Sequence, residues 1–139
     1  MKLIEMGAVD MIHPDLASSG GLMETKKIGD YAMEHGVAMA MHFAGTPVSF
    51  LANVHCAAAT ENFIALEHHS LDVPWWESLV RTTSGKPLVE KGFAAVPDSP
   101  GLGVELNEEV VKQHLRPKSE YFAPTPEWDT VRSNDRPWS

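Results

Sequence analysis

One cysteine, Cys56, is the whole thiol content of the 139-residue chain, so no internal disulfide can form and the composition suits a reducing compartment. Cationic side chains are also scarce. Lys and Arg number 11 against 19 Asp and Glu, a net charge of −8 that disfavours nucleic acid and anionic membrane surfaces as partners. No apolar run is long enough to cross a bilayer. The opening MKLIEMGAVD has no extended apolar core and does not read as a secretory leader. The cytoplasm is the expected location. Apolar residues at 43% and charged residues at 22% are what a soluble folded domain carries, which excludes wholesale disorder.

The first half of the chain alternates short apolar runs with helical patterns. Val9 to His13 is such a run, followed by Pro14-Asp15 and a loop rich in Ser and Gly. A helix is predicted over 22–35, with Leu22, Thr25, Ile28 and Ala32 on one face. Gly29 weakens it and Gly36 stops it. Val37 to Met41 is apolar without polar alternation, as for a strand covered on both faces, and it ends at His42. Thr46-Pro47 is a helix start for 48–59, with Val48, Leu51, Ala52, His55 and Ala59 as its inner stripe. Asn62 to Leu66 reads as a third buried strand, ending at Glu67.

Beyond it, Pro74 to Val80 is predicted as a short helix carrying Trp75 and Trp76. Lys86 to Val96 reads as a hairpin around Lys91-Gly92, and 100–103 as a tight turn. Asn107 is the expected cap of a helix to about Leu115. The predicted organisation is therefore βα units over 1–80, a hairpin, turn and closing helix over 81–115, and a Pro-rich extended arm over 116–139.

Strands alternating with helices imply a parallel sheet, and such sheets carry their sites at the carboxyl ends of the strands. The first residues past the three predicted strands include Asp15, His42 and Glu67, 27 and then 25 residues apart, one βα unit each. Singly, each has an ordinary structural reading: a turn cap, a core histidine, a loop acid. At equivalent positions on adjacent strand ends, they form a candidate site. A carboxylate beside a histidine fixes the ring's tautomer and stabilises the imidazolium formed when the ring takes a proton. Cys56 with His68 and His69 lacks a zinc-ligand spacing, and Gly-Leu-Gly at 101–103 lacks the strand-to-helix setting of a phosphate loop.

At these residues the sequence resembles the enolase superfamily, in its mandelate racemase and muconate lactonizing enzyme branch. His13-Pro-Asp-Leu-Ala-Ser-Ser-Gly-Gly21 is similar to the end of that family's sixth barrel strand. Met41-His42-Phe-Ala-Gly-Thr-Pro47 resembles the end of the seventh, and Leu66-Glu67 the end of the eighth. Val96-Pro-Asp-Ser-Pro-Gly-Leu-Gly-Val104 is similar to its closing segment. The resemblance covers about residues 1–115. Leu16, Ala17 and Ser18 stand where the cycloisomerase subgroup has a lysine, and the segment after His42 is most like galactonate dehydratase and related acid-sugar dehydratases.

The resemblance implies an α/β fold, the C-terminal fragment of a TIM-like (β/α)7β barrel with three parallel strands and crossover helices. It implies part of a Mg²⁺-dependent lyase, a hydro-lyase acting on small sugar acids. In that role His42 removes the proton next to the substrate carboxylate, Asp15 orients it, and Glu67 meets the carboxylate side of the intermediate. The family's Mg²⁺ ligands lie on strands three to five, so no metal ligand is assigned here. A full barrel takes about 250 residues. The expected partner is therefore the N-terminal part of the barrel or a second copy, and the chain alone is expected to be inactive. A racemase or epimerase of the same superfamily, or a non-catalytic remnant serving in assembly, are the alternative readings.

Overall fold

A computed structural model describes residues 1–121 of the chain. The expected arm over 116–139 lies largely outside the described residues. Three parallel strands form one sheet in the order β1 (Met11–Ile12), β2 (Ala38–Met41), β3 (Phe63–Leu66). Helix α1 (Lys2–Glu5) precedes β1, α2 (Gly21–Glu34) joins β1 to β2, and α3 (Pro47–Ala58) joins β2 to β3. Every connection between neighbours passes through a helix, as parallel pairing demands.

The alternating Ala-Met-Ala-Met of β2 decides which face the helices cover. Met39 and Met41 are fully buried and pack with Leu16, Cys56 and Ala57, so α3 and the loop after β1 close over that side. Ala38 and Ala40 point the other way and are half-buried. The run expected to be covered on both faces is covered on one. A strand whose second face has only alanines has little to bury there.

The inner face of α2 is as expected at Thr25 and Ala32 but not at Leu22, and that of α3 is rotated from the expected one. On α2 the buried positions are Thr25, Gly29 and Ala32, while Leu22 is exposed. Gly29 explains the choice: a Cβ there would lie 2.7 Å from Thr60 Cγ2 and 3.2 Å from Met39 Sδ. The missing side chain lets α2 approach the sheet and the start of β3 closely. On α3 the buried residues include Phe50, Leu51, Val54 and Cys56, because this helix is wedged between two core clusters. Its start is as expected, with Pro47 in the first turn and the Thr46 hydroxyl accepting from the Ser49 amide.

The second half forms a small antiparallel pair, β4 (Val80–Thr82) with β5 (Val104–Leu106), followed by α4 (Glu108–Gln113). It packs Val80, Leu88 and Trp76 against Phe43, Phe50 and Leu51. The hairpin expected over 86–96 contracts to a single bridge, Glu90 to Phe93, around a turn with Lys91 and Gly92 at positive φ. The turn residues suit it, but Pro87 has no amide to donate and the Ala94-Ala95 flank is a poor strand former, so the ladder stops. The helix expected over 74–80 reduces to one 3₁₀ turn, Glu77–Leu79. Asn107 precedes α4 without capping it: its side chain donates to the Ser78 carbonyl and accepts from Arg81 Nη2.

Candidate active site

Strand pairing alone places the candidate residues. The spacing that sets Met11 against Ala38 and Ile12 against Met39 also sets Asp15 against His42 in an isolated parallel bridge. The His42 amide donates to the Pro14 carbonyl at 3.0 Å, and the Glu67 amide donates to the Met41 carbonyl at 2.9 Å. Sheet hydrogen bonding thus continues past the strands, by one residue at β2 and β3 and by two to three at β1, and brings Asp15, His42 and Glu67 onto neighbouring strand ends.

The side chains then meet. His42 Nδ1 lies 2.8 Å from Asp15 Oδ2. A carboxylate can only accept, so Nδ1 carries the proton and the neutral ring keeps its lone pair on Nε2. The other Asp15 oxygen accepts from the Ala17 and Ser18 amides at 2.7 and 3.2 Å, which fixes the carboxylate plane. Desolvation is the largest single influence on this carboxyl and pushes its pKa up. The bonds from His42, Ala17 and Ser18 together outweigh it and hold Asp15 below its ordinary value.

Glu67 Oε2 accepts from the Phe43 amide at 3.1 Å and lies 3.5 Å from His42 Nε2. The Phe43 hydrogen bond is the main reason its pKa is lowered; desolvation works against this, and His42, His13 and His69 add to it. Asp15 and Glu67 thus flank the two nitrogens of one imidazole. The His42 side chain is 37% exposed.

One residue that sequence reasoning left out belongs to this group. His13 Nδ1 is 3.0 Å from the Ala40 carbonyl, and its Nε2 is 3.6 Å from Glu67 Oε2. Its signal was its position two residues before Asp15, on the same face of an extended segment. Cys56, by contrast, is buried in the core, and burial raises its thiol pKa. His68 packs among Phe50, Trp76 and Phe43 instead of joining Cys56. Trp76 serves the core, and Trp75 stacks on His114 at 3.9 Å.

The enolase C-terminal domain-like family matches residues 1–110. A D-xylonate dehydratase of Haloferax volcanii is 41% identical over 113 residues, 81% of this chain and 27% of that protein. A D-galactonate dehydratase family member of Pantoea ananatis is 33% identical over 135 residues, 96% of this chain and 30% of its own length. Among solved structures, a mandelate racemase/muconate lactonizing enzyme-like protein of Rubrobacter xylanophilus superposes with a TM-score of 0.83 at 38% identity, covering 88% of this chain and 31% of that one. An enolase of Pantoea ananatis with bound D-gluconate and Mg superposes with a TM-score of 0.68 at 32% identity, over 81% and 26%. The chain spans under a third of the length of the curated relatives it matches most strongly.

Proposed function

The chain belongs to the enolase C-terminal domain-like family, and from that premise we propose that it supplies the base-bearing part of an acid-sugar dehydratase. The observation that supports this most is the 2.8 Å bond from His42 Nδ1 to Asp15, which leaves the lone pair on Nε2 of a part-exposed ring. His42 Nε2 takes the proton from the carbon next to the substrate carboxylate. Asp15 keeps that nitrogen unprotonated beforehand and offsets the imidazolium charge afterwards. The C–O bond to the neighbouring hydroxyl then breaks, the hydroxyl leaves as water with the proton that His42 had taken, and the resulting enol moves its hydroxyl proton to the neighbouring carbon to give a 2-keto-3-deoxy acid. Glu67 faces the carboxylate side of the bound acid.

The family resemblance implies Mg²⁺, but the residues of this chain do not fit it. Asp15 spends both oxygens on hydrogen-bond donors, and Glu67 Oε2 is taken by the Phe43 amide. Among the described residues no group of three or more His, Cys, Asp or Glu is arranged to hold a metal ion. A hard cation needs about six oxygen ligands. In this reading they come from the part of the relatives' length that this chain does not span.

The partner is accordingly the N-terminal part of a barrel or a second copy. Met11, Ile64, Phe93 and Val96 are exposed apolar residues on or beside the sheet, and among the described residues β1 and β3 each have one unpaired edge. That surface also favours the second reading, an assembly module without catalysis. The proposed location is cytoplasmic, with Cys56 kept as a thiol; no helix among the described residues is long and apolar enough to cross a membrane. The test is to combine the chain with the preceding portion of a dehydratase relative, add Mg²⁺, and assay D-xylonate, D-galactonate and D-gluconate. Dehydration by the combination supports the enzyme; association without turnover supports the assembly module.

A further inference from the structure

His13 has no role in the chemistry set out above, yet it faces the same oxygen as the base. The Ala40 carbonyl can only accept, so His13 Nδ1 carries the proton and its Nε2 is turned toward Glu67 Oε2 at 3.6 Å. His42 is arranged in the same way, with Nδ1 on Asp15 and Nε2 at 3.5 Å from that same oxygen. In the neutral rings, two nitrogen lone pairs and a carboxylate oxygen converge with no hydrogen between them. A proton on either ring relieves this repulsion. The rings meet edge-on, with centroids 5.4 Å apart, and His13 is the more exposed, at 51% against 37%. The titratable groups facing His13 are Glu67 beyond β3, His42 beyond β2, and Asp15 in its own segment.

We propose that His13 is a positioning residue of this site: in its protonated form it draws the Glu67 carboxylate away from His42, and so leaves His42 Nε2 open to a substrate proton. The role rests on the reading of His42 as the base.

The test is ring-nitrogen NMR on the ¹⁵N-labelled 139-residue chain from about pH 5 to 9. It is repeated with His13→Gln, alone and together with Glu67→Gln. In the unaltered chain, the neutral rings of both His13 and His42 are expected to hold their proton on Nδ1. His13→Gln is expected to move the His42 Nε2 resonance, because Glu67 is then free to settle on His42. The move should shrink in the Glu67→Gln background. A neutral His13 protonated on Nε2 would overturn the proposal without any variant. An equal move in both backgrounds would also overturn it, because His13 would then act on His42 directly. No substrate enters these measurements. Coupled rings in a protein that never dehydrates would sink the dehydratase reading and leave the coupling standing; uncoupled rings in an active enzyme would do the reverse.

Discussion

Asp15 and His42 are joined twice, once through the backbone ladder at the strand ends and once through a 2.8 Å side-chain bond. The ladder sets where the histidine sits, and the carboxylate sets which of its nitrogens holds the proton. The two functions are separable because the amide of His42 bonds the Pro14 carbonyl and not the Asp15 side chain.

Asp15→Asn tests that separation. Asn presents an amide that donates as well as accepts, so the ring can turn its proton onto Nε2 and lose the base. In a reconstituted barrel, kcat is expected to fall about 10³–10⁴-fold, the size of a wrong-tautomer effect. The chain's circular dichroism and the Met39 and Met41 amide signals should be unchanged. Loss of those signals would show that Asp15 holds the fold instead.

The depressed Asp15 carboxyl also makes a statement about acid stability. Its folded pKa lies below the unfolded one, so its contribution is present above the ordinary value of 3.8 and is lost as pH falls through the folded value. Stability measured against denaturant should therefore drop more steeply below about pH 4 in the natural chain than in Asp15→Asn. Parallel curves would contradict the shift.

Gly29→Ala should destabilise the chain although it raises helix propensity by up to about 1 kcal/mol. The new methyl meets Thr60 Cγ2 at 2.7 Å and the Met39 side chain at 3.2–3.3 Å, where overpacking costs about 1–3 kcal/mol. Urea denaturation reads the balance. Trimming Thr60 to Ser in the same chain should recover much of the loss.

The proposed association would rest on residues outside the helical cover. Ile64 is 58% exposed and Phe93 79% exposed beside the free edge of β3. Ile64→Lys with Phe93→Ser should shift sedimentation of the isolated chain toward monomer by weakening apolar contact between copies. Unchanged sedimentation would move the association surface elsewhere.

The parts of the fold that could be read in advance are those where one spacing serves two purposes. The interval from Asp15 to His42 is also the register of β1 on β2, so locating the strand ends brought the two candidate residues side by side. His13 was missed because it looked like the last residue of a strand, and its bond to Ala40 is formed across the sheet. The inner face of α2 was read correctly at Thr25 and Ala32 but not at its centre, because a glycine, invisible to hydrophobic periodicity, marks its closest approach. The hairpin was drawn too long because Lys91-Gly92 encodes the turn but not the strands beside it. Val80–Thr82 and Val104–Leu106, more than 20 residues apart, supply the ladder instead.

The central claim is that His42 is the base of a dehydratase whose remaining parts lie outside this chain. The most direct measurement is Mg²⁺-dependent formation of 2-keto-3-deoxy acid from a sugar acid. It compares the purified chain alone, the chain combined with the preceding portion of a relative, and that combination carrying His42→Asn. Turnover is expected only in the combination, and His42→Asn should lower it by about 10²–10⁴-fold, the contribution of a positioned general base. Dehydration by the isolated chain, or a combination whose rate survives His42→Asn, would contradict the account.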